Sequence, residues 1–309
     1  MLIGSASPVV TVTLNPALDV SMSIDRLVPD RKLRAEMSRR EPGGGGVNVS
    51  RVLNRFGVDS PAFVVAGGAV GAELVDRLRG EGVDVIDFPV SENTRESFAI
   101  TEQSTERQYR ISLSGPSVAD PEALHRAVVE SASGAGVVVV SGSMPPGVSP
   151  DDLVSLVAAL GVPTIVDTSG AALAAVAHQS ATIIKPSQRE LADLVGWEPT
   201  TTEEIERAVT EVLSWGAVDA VVASRGPSGA LLATRESGAR WFRPPPVRPV
   251  STVGAGDSMV AGMAAGLASG QTLEQAVRFG VAAGTAAVLT PGTELCDAVD
   301  VERLIDQVE

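Results

Sequence analysis

Val9-Val10-Thr11-Val12-Thr13-Leu14 is a run of β-branched and apolar residues, and it predicts a buried β-strand near the start of the chain. A helical pattern follows at 47–56, and a second apolar run comes after it at 63–66, which is the order of a β-α-β unit. Similar apolar runs recur at 137–140, 163–167, 182–185 and 220–223, separated by helical stretches such as 151–160 and 202–215. Strands this apolar are buried on both faces, so we predict an α/β fold with a mostly parallel sheet, helices on its faces and ligands outside the carboxyl ends of its strands.

Two segments depart from this alternation, because 21–40 and 97–113 are polar and alternate in the manner of exposed strands. In the second segment Tyr109, Ile111 and Leu113 alternate with polar residues, which predicts one apolar face. We expect a small β-sheet that closes the site or pairs with another subunit, with ordinary surface hairpins as the alternative. The last third of the chain predicts helices at 259–267, 272–289 and 299–307, after an extended proline run at 244–246.

The 309-residue chain is 44% hydrophobic and 20% charged, with a net charge of −14 at pH 7, which indicates a globular protein with a large core. Its acidity argues against a nucleic-acid surface. One cysteine, Cys296, and two histidines argue against a disulfide framework and against a zinc or multi-histidine centre. No stretch approaches the roughly 20 apolar residues of a membrane span, and the first residues do not resemble a signal peptide. We therefore expect a cytoplasmic protein without nucleic-acid or membrane partners.

The clearest chemical feature is Ser251-Thr252-Val253-Gly254-Ala255-Gly256-Asp257-Ser258, a small-residue turn ahead of an apolar helical pattern. The glycines let consecutive backbone N–H groups converge on an anion at a helix N-terminus, while Asp257 could accept a hydroxyl proton. This arrangement suits phosphoryl transfer. The alternative, in which Asp257 is only a helix N-cap, is equally consistent with these eight residues.

A second feature is the glycine run Gly43-Gly44-Gly45-Gly46, which precedes the helical pattern at 47–56. Without β-carbons the main chain can present its amides to a hydroxyl or phosphate oxygen, although a flexible turn would look the same. The run is not a Walker A loop, because neither Lys32 nor Lys185 follows a glycine. It also does not follow a buried first strand, as a dinucleotide-binding fingerprint would.

Three further candidates follow predicted strands. Asp19 lies beyond the first strand and could accept hydrogen bonds from a polyol, or form a simple Asx turn. In Lys185-Pro186-Ser187-Gln188-Arg189-Glu190, Glu190 could reach magnesium directly or through water. The loop Ser224-Arg225-Gly226-Pro227-Ser228-Gly229 could hold phosphates or only turn a corner.

The order of these motifs resembles that of the PfkB carbohydrate kinases, which have the ribokinase-like fold. The resemblance runs from Val9 to about Cys296 and is highly specific in its combination of motifs. Within the family the chain is most similar to the bacterial 6-phosphofructokinases, through Lys32-Leu33-Arg34, the unbroken glycine run, 141–147 and 251–260. Related 1-phosphofructokinases and tagatose-6-phosphate kinases typically carry Lys in the third position of the glycine run, which is Gly45 here.

The resemblance implies that the chain, 1–309, is a single three-layer α/β/α domain whose small β-sheet lid is inserted at about 20–41 and 96–113. It implies an ATP-dependent kinase of glycolysis that converts fructose 6-phosphate to fructose 1,6-bisphosphate, with Asp257 as the base. The anion hole would comprise Gly254, Ala255 and Gly256. The implied sugar-phosphate residues are Ala17, Leu18, Asp19, Lys32, Gly43, Gly44, Gly45, Gly46, Asn48, Arg95 and Ser143, with Arg34 as a further participant.

For ATP the resemblance implies a set of residues from two loops and one helix: Lys185, Ser187, Ser224, Arg225, Gly226, Pro227, Ser228, Gly229, Val281 and Thr285. Glu190 would organise Mg²⁺ through its water shell; Ser187 stands where the family usually has Asn. A monovalent cation, usually K⁺, would be held mainly by backbone oxygens of Ser251, Val253, Ala287, Thr290, Gly292 and Glu294.

Similar kinases pair their lids between subunits, so the resemblance also implies a homodimer. Three alternatives stay open. The first is a sister kinase acting on tagatose 6-phosphate, fructose 1-phosphate or a related ketose. The second is a non-catalytic sugar-phosphate or nucleotide sensor. The third is an NAD-dependent oxidoreductase, which the missing fingerprint disfavours.

Overall fold

The computed structural model describes residues 6–179, 183–291 and 294–309. Within these ranges there are thirteen strands: β1 (Val9–Thr13), β2 (Ala17–Ile24), β3 (Glu36–Gly43), β4 (Ala62–Gly67), β5 (Val85–Val90), β6 (Arg95–Glu102), β7 (Arg107–Ser112), β8 (Val137–Ser141), β9 (Thr164–Asp167), β10 (Ile183–Ile184), β11 (Ala220–Ser224), β12 (Ala230–Thr234) and β13 (Gly238–Phe242). The same ranges contain ten α-helices: α1 (Gly45–Arg55), α2 (Gly68–Gly80), α3 (Pro121–Ser131), α4 (Pro150–Ala159), α5 (Gly170–Gln179), α6 (Gln188–Val195), α7 (Thr202–Ser214), α8 (Ala255–Ala268), α9 (Leu273–Ala287) and α10 (Ala298–Ile305).

Nine of the described strands form one sheet in the order β13-β12-β11-β10-β9-β8-β1-β4-β5. The seven strands from β11 to β5 are parallel, which confirms the predicted mostly parallel sheet. The strands β12 and β13 add an antiparallel edge that the sequence patterns did not predict. Their residues at 230–234 are apolar like the parallel strands, so the pattern gives no sign that the chain reverses there.

Helices cover both faces of this sheet because its strands are apolar on both sides. One face packs against α1, α8, α9 and α10, and the other packs against α3, α4, α5, α6 and α7. The helix α8 begins at Ala255, four residues earlier than predicted, and it packs closely on α9. A Cβ atom on Gly262 would lie 2.8 Å from the Cα atom of Gly280, so glycine allows this close approach. The result is a firmly held α8 whose first turn overlies the edge of the sheet.

The remaining four strands form a second sheet in the order β3-β2-β6-β7, which we call the lid. The polar segments at 21–40 and 97–113 therefore contain strands as predicted, but β2 begins earlier, at Ala17, and residues 25–35 form a loop. One face of the lid, which we call its polar face, carries Asp19 and Ser21 of β2, with Ser97 of β6 paired to Asp19 and Ser112 of β7 paired to Ser97. The opposite face leaves apolar side chains exposed: Met37, Tyr109 and Ile111, with Leu33 and Leu113 at its margins. None of the helices in the described part of the chain is long and apolar enough to cross a membrane.

Candidate active site

Five neighbouring parallel strands end at one edge of the large sheet, as the β-α-β order predicts. The residues at or just after their carboxyl ends are Thr13, Ser141, Asp167, Lys185 and Ser224. The first turn of α8 packs over this edge, and the start of α1 adjoins it. Catalytic and ligand-binding groups are expected at this position in α/β proteins.

Asp257 is the third residue of α8 and does not cap it. The N-cap is Gly254, whose φ of 74° is in the left-handed region that glycine tolerates, so the N-cap alternative for Asp257 is wrong. The Asp257 carboxylate instead accepts a hydrogen bond from Asn48 Nδ2 at 2.7 Å. This contact joins the beginnings of α8 and α1 and fixes the direction of the carboxylate.

The pKa of Asp257 is raised from its ordinary value of 3.8 to about 6. Burial is the largest cause, because it disfavours the charged form, and the nearby charge of Asp167 adds to it. The hydrogen bond from Asn48 and the charge of Lys185 act in the opposite direction. A carboxylate with a pKa near 6 is mostly ionised at neutral pH yet is a stronger base than an exposed one, which suits general-base catalysis.

Lys185 and Asp167 form a buried ion pair next to Asp257. The Nζ atom of Lys185 lies 3.0 Å from Asp167 Oδ1, and the lysine is 4% exposed. Burial alone would lower the pKa of Lys185, but Asp167 with Glu190 and Asp257 raises it, so the ammonium stays charged. Its Nζ atom is also 3.9 Å from the position that a Cβ on Gly256 would take. The site therefore has a fixed cation beside the first turn of α8.

Sequence patterns missed Asp167, although it ends the predicted apolar run at 163–167 and is the last residue of β9. It pairs with Lys185 because β9 and β10 are neighbours in the sheet, and strand order is not visible in the pattern. The first turn of α8 adds backbone donors, because the first amides of a helix have no partner within it. Gly254, Ala255 and Gly256, predicted to form an anion hole, are the N-cap and the first two residues of α8, a position at which anions can bind.

The glycine run forms the boundary between the lid and the large sheet. A Cβ on Gly43 would lie 2.2 Å from Asp19 Oδ2, and one on Gly45 would lie 2.1 Å from Ser141 Oγ. A Cβ on Gly46 would lie 2.5 Å from Thr13 Oγ1 and 2.8 Å from the Val12 carbonyl oxygen of β1, and Gly44 has a φ of 115°. Side chains at these positions would displace the surrounding site, so glycine is required by close approach as well as by conformation.

Asp19 lies on the polar face of the lid, in β2. Burial raises its pKa, while a hydrogen bond with Ser97 and the charges of Arg95 and Arg110 lower it. Ala17 and Leu18 are buried at 2% and 0% exposure, so they can offer a ligand only their backbone. The face of the lid around Asp19 borders a cavity of about 300 Å³ that also reaches Ser251, Val253 and Arg110. Arg110 was not predicted, because alternation alone does not distinguish a solvated arginine from one facing a cavity.

The remaining predicted sugar-phosphate residues separate into two groups. Arg95 and Ser143 lie next to Asn15, which contacts both of them. Lys32 and Arg34 are exposed in the loop between β2 and β3. That loop begins beyond Ile24, five residues along an extended strand from Asp19, or about 17 Å. Within one chain Lys32 and Arg34 therefore belong to an exposed loop that starts at the end of β2 away from Asp19.

The predicted nucleotide loop lies beside the start of α6. The amide of Ser224 donates to the carbonyl of Pro186 at 2.9 Å, and the amide of Arg225 donates to Gly229 at 2.8 Å. Residues Gly226–Ser228 form a single 3₁₀ turn between them. The loop thus follows the strand next to the one that carries Lys185. Val281 and Thr285, in α9, are 5% and 7% exposed, and the Thr285 hydroxyl donates to the Val281 carbonyl, so both offer little surface to an adenine.

Ser187 and Glu190 form the capping box of α6. The Glu190 amide donates to Ser187 Oγ at 3.3 Å, and Glu190 Oε2 accepts from the Ser187 amide at 2.7 Å. The other carboxylate oxygen of Glu190 remains available for a water or an ion. Among the described residues no group of three or more His, Cys, Asp and Glu could hold a metal by itself. The site fits Mg²⁺ as it usually binds, through one or two carboxylates together with nucleotide phosphates.

The predicted monovalent-cation residues converge at the end of α9. The Thr290 hydroxyl lies 2.8 Å from the Ala287 carbonyl and 2.7 Å from the Glu294 carbonyl. Because a hydroxyl has one proton, it can satisfy only one of these oxygens at a time. The Ala287 carbonyl also accepts from the Thr290 amide at 3.3 Å, so both carbonyls have a donor. Each carbonyl oxygen keeps a second lone pair that can bind a cation, so this donor set fits K⁺. Gly292 lies outside the described residues, and Ser251 and Val253 approach from the segment before α8.

An ion pair between the lid and the segment that follows α9 was also not predicted. Arg39 of β3 donates to Glu294 at 2.7 Å. Arg39 also lines the cavity beside Asp19. The ion pair joins side chains that are 255 residues apart, so no local pattern could have indicated it.

The chain is similar to known kinases over nearly its full length. The pfkB family carbohydrate kinase model matches residues 12–299. The "ATP-dependent 6-phosphofructokinase isozyme 2" of Mycobacterium tuberculosis is 42% identical over 303 residues, which cover 96% of this chain and 89% of that protein. The 1-phosphofructokinase of Bacillus subtilis is 31% identical, covering 97% of this chain and 98% of that protein.

Solved structures give the same result. Phosphofructokinase-2 from Escherichia coli, crystallised in complex with potassium, superimposes with a TM-score of 0.90 at 38% identity, covering 97% of this chain and 99% of that chain. The same E. coli protein in complex with fructose 6-phosphate gives a TM-score of 0.88 at 37% identity, with the same coverage. The chain therefore belongs to the pfkB family of carbohydrate kinases and has its ribokinase-like fold.

Proposed function

We propose that this protein transfers the γ-phosphoryl group of ATP to the C1 hydroxyl of fructose 6-phosphate, giving fructose 1,6-bisphosphate and ADP. The observation that carries the proposal is the position of Asp257. Its carboxylate has a pKa near 6, is held by Asn48, and adjoins both the free amides of α8 and the buried Lys185. The names of the most similar relatives support the choice of ATP and fructose 6-phosphate.

In this reaction Asp257 takes the proton of the C1 hydroxyl as its oxygen attacks the γ-phosphorus. The bond from that phosphorus to the bridging oxygen breaks, and its electron pair leaves with ADP. The amides of Gly254, Ala255 and Gly256 and the ammonium of Lys185 hold the negative charge of the phosphoryl group. Asp19 accepts hydrogen bonds from sugar hydroxyls, and the lid excludes water from the cavity.

Two ions belong to the proposal. Mg²⁺ would be held by Glu190 with the nucleotide phosphates, and when bound it neutralises phosphate charge. K⁺ would be held by carbonyls of the cation loop: Ser251, Val253, Ala287, Thr290, Gly292 and Glu294. The potassium complex of the E. coli relative supports this second assignment. Ser224–Gly229, Lys185 and Ser187 would hold ATP, with Val281 and Thr285 at the edge of the adenine.

We also propose that the lid forms a homodimer. Its outer face exposes Met37 at 62%, Ile111 at 49% and Tyr109 at 39%, which is a large apolar surface for a small sheet. A second lid would cover this surface. We assign Lys32 and Arg34 to the site of the dimer, since within one chain they lie in an exposed loop. A tetrameric inhibited form is known for the E. coli relative.

Side-by-side kcat/KM values with MgATP test the proposed substrate. Fructose 6-phosphate, tagatose 6-phosphate and fructose 1-phosphate are the acceptors to compare. We expect the highest value for fructose 6-phosphate, partly because Gly45 leaves no room for the lysine typical of the sister kinases. A higher value for either other sugar would establish a sister kinase. Binding of both ligands without transfer would establish a sensor, and NAD reduction would establish an oxidoreductase.

A further inference from the structure

Asn15 contacts two residues of the proposed sugar-phosphate site at once. It lies between β1 and β2 and is 7% exposed. Its Nδ2 atom donates to Ser143 Oγ at 3.1 Å and to the Met144 carbonyl at 3.3 Å. Its backbone carbonyl accepts from Arg95 Nε at 3.3 Å and from Nη2 at 3.2 Å. One residue thus fixes both Ser143 and Arg95.

The orientation of the Asn15 amide is determined by its surroundings. The Met144 carbonyl can only accept a hydrogen bond, so the group facing it must be the NH₂ and not the oxygen. The same NH₂ group faces Ser143, whose oxygen must therefore accept. A hydroxyl has a single proton, and with its oxygen engaged in this way the proton of Ser143 points away from Asn15. Ser143 is exposed, so its proton is left for solvent or for a bound ligand.

This orientation leaves the Asn15 Oδ1 atom buried without a partner among the described residues. A Cβ on Gly115 would lie 1.9 Å from that oxygen, so glycine at 115 makes room for it. An unpaired buried acceptor destabilises a fold. Asn15 therefore does not have the arrangement that stability alone would favour, and its two donor contacts point to a role in the cleft.

The chemistry of the ligand gives that role. The oxygens of a phosphate dianion only accept hydrogen bonds, so a hydroxyl that offers its proton binds them and a hydroxyl that offers a lone pair is repelled. We propose that Asn15 is a positioning residue that turns the Ser143 hydroxyl into a fixed donor to the phosphate of the sugar phosphate. This inference rests on the proposed function. The backbone carbonyl of Asn15 holds Arg95 for the same anion. A substitution of the Asn15 side chain therefore changes only the orientation of the Ser143 hydroxyl.

The test is a double-mutant cycle between Asn15→Leu and Ser143→Ala, with Asn15→Asp as a reversal. In Asn15→Leu the Ser143 hydroxyl loses its partner, and in Asn15→Asp it donates to the new carboxylate and turns away from the sugar. We expect the KM for fructose 6-phosphate to rise about tenfold in Asn15→Leu and up to about 100-fold in Asn15→Asp. The KM for ATP should stay within about twofold, which also shows that the site is folded.

In the Ser143→Ala background, Asn15→Leu should change the sugar KM no further, since there is no hydroxyl to orient. Asn54→Leu is the matched control. Asn54 also donates its Nδ2 to a backbone carbonyl, that of Glu81 at 3.0 Å, but on the exposed end of α1. It should leave both KM values unchanged.

Additive effects of Asn15→Leu and Ser143→Ala, or a sugar KM within twofold of wild type in Asn15→Leu, would overturn the inference. Failure of the proposed function gives a different result, because the wild type would then prefer another sugar phosphate. The cycle is then measured with that sugar phosphate and decides the role of Asn15 by the same criteria.

Discussion

Replacing Asp257 by Asn should make the protein more stable at neutral pH. In the folded chain the pKa of Asp257 is raised from 3.8 to about 6, so folding disfavours its ionised form. The contribution of Asp257 to the free energy of unfolding should therefore be highest below pH 4, fall as the pH rises through 6, and level off above that. The difference in pKa corresponds to at most about 3 kcal/mol at pH 7. The gain in stability is smaller if the side-chain amide in Asp257→Asn accepts the hydrogen bond from Asn48 less well than the carboxylate does.

Urea denaturation of wild type and Asp257→Asn at pH 7.5 and pH 4.5 measures the effect. We expect the variant to be more stable by about 1 to 3 kcal/mol at pH 7.5 and by much less at pH 4.5. Asp193→Asn, at an exposed position on α6, is the matched control and should show no such difference. A variant that is less stable than wild type at pH 7.5, or a gain that is equal at both pH values, would refute the reasoning about burial.

Four other results are expected. The kcat/KM for the sugar should fall about tenfold from pH 7 to pH 5, as a base with a pKa near 6 requires, and a profile flat over this range would contradict Asp257 as that base. Gly45→Ala places a Cβ 2.1 Å from Ser141 Oγ and should raise the KM for the sugar about tenfold or more. Adding Ser141→Ala should restore part of the lost affinity. An unchanged KM in Gly45→Ala would contradict the close approach of Gly45 to Ser141. Thr290→Val should raise the K⁺ concentration for half-maximal activity, because the hydroxyl that links the Ala287 and Glu294 carbonyls is lost. Titration of activity with KCl measures this concentration. An unchanged concentration would count against the proposed K⁺ site. Ile111→Asp should convert a dimer to a monomer in light scattering at micromolar concentration, and a wild type that is already monomeric would disprove the lid dimer.

The sequence predicted the arrangement of strands and helices well, because both-face burial leaves a continuous apolar run in each parallel strand. It predicted less where that signal is absent. The hairpin at 230–242 looks like another buried strand, and the start of α8 at Ala255 has the small residues of a turn without helical periodicity. In both places the tertiary setting determines the local structure.

For the site, the sequence predicted best which residues lie together where the residue type, such as a run of glycines, has few other structural roles. Asp19 and the glycine run lie together, and Asp257 lies against Asn48, as a shared site requires. Asp167 and Arg110 were missed because their roles depend on which strands are neighbours. Lys32 was predicted from resemblance, and it lies in an exposed loop between β2 and β3, so its role in the site stays a prediction.

The most direct measurement compares wild type and Asp257→Asn with fructose 6-phosphate and MgATP, using kcat for turnover and calorimetry for binding. The variant should bind both ligands within a few-fold of wild type, since the Lys185 pair and the lid remain in place. Its kcat should fall by about 100- to 10,000-fold, the usual contribution of a general base. A variant that retains near-normal kcat would contradict the assignment of Asp257 as the base.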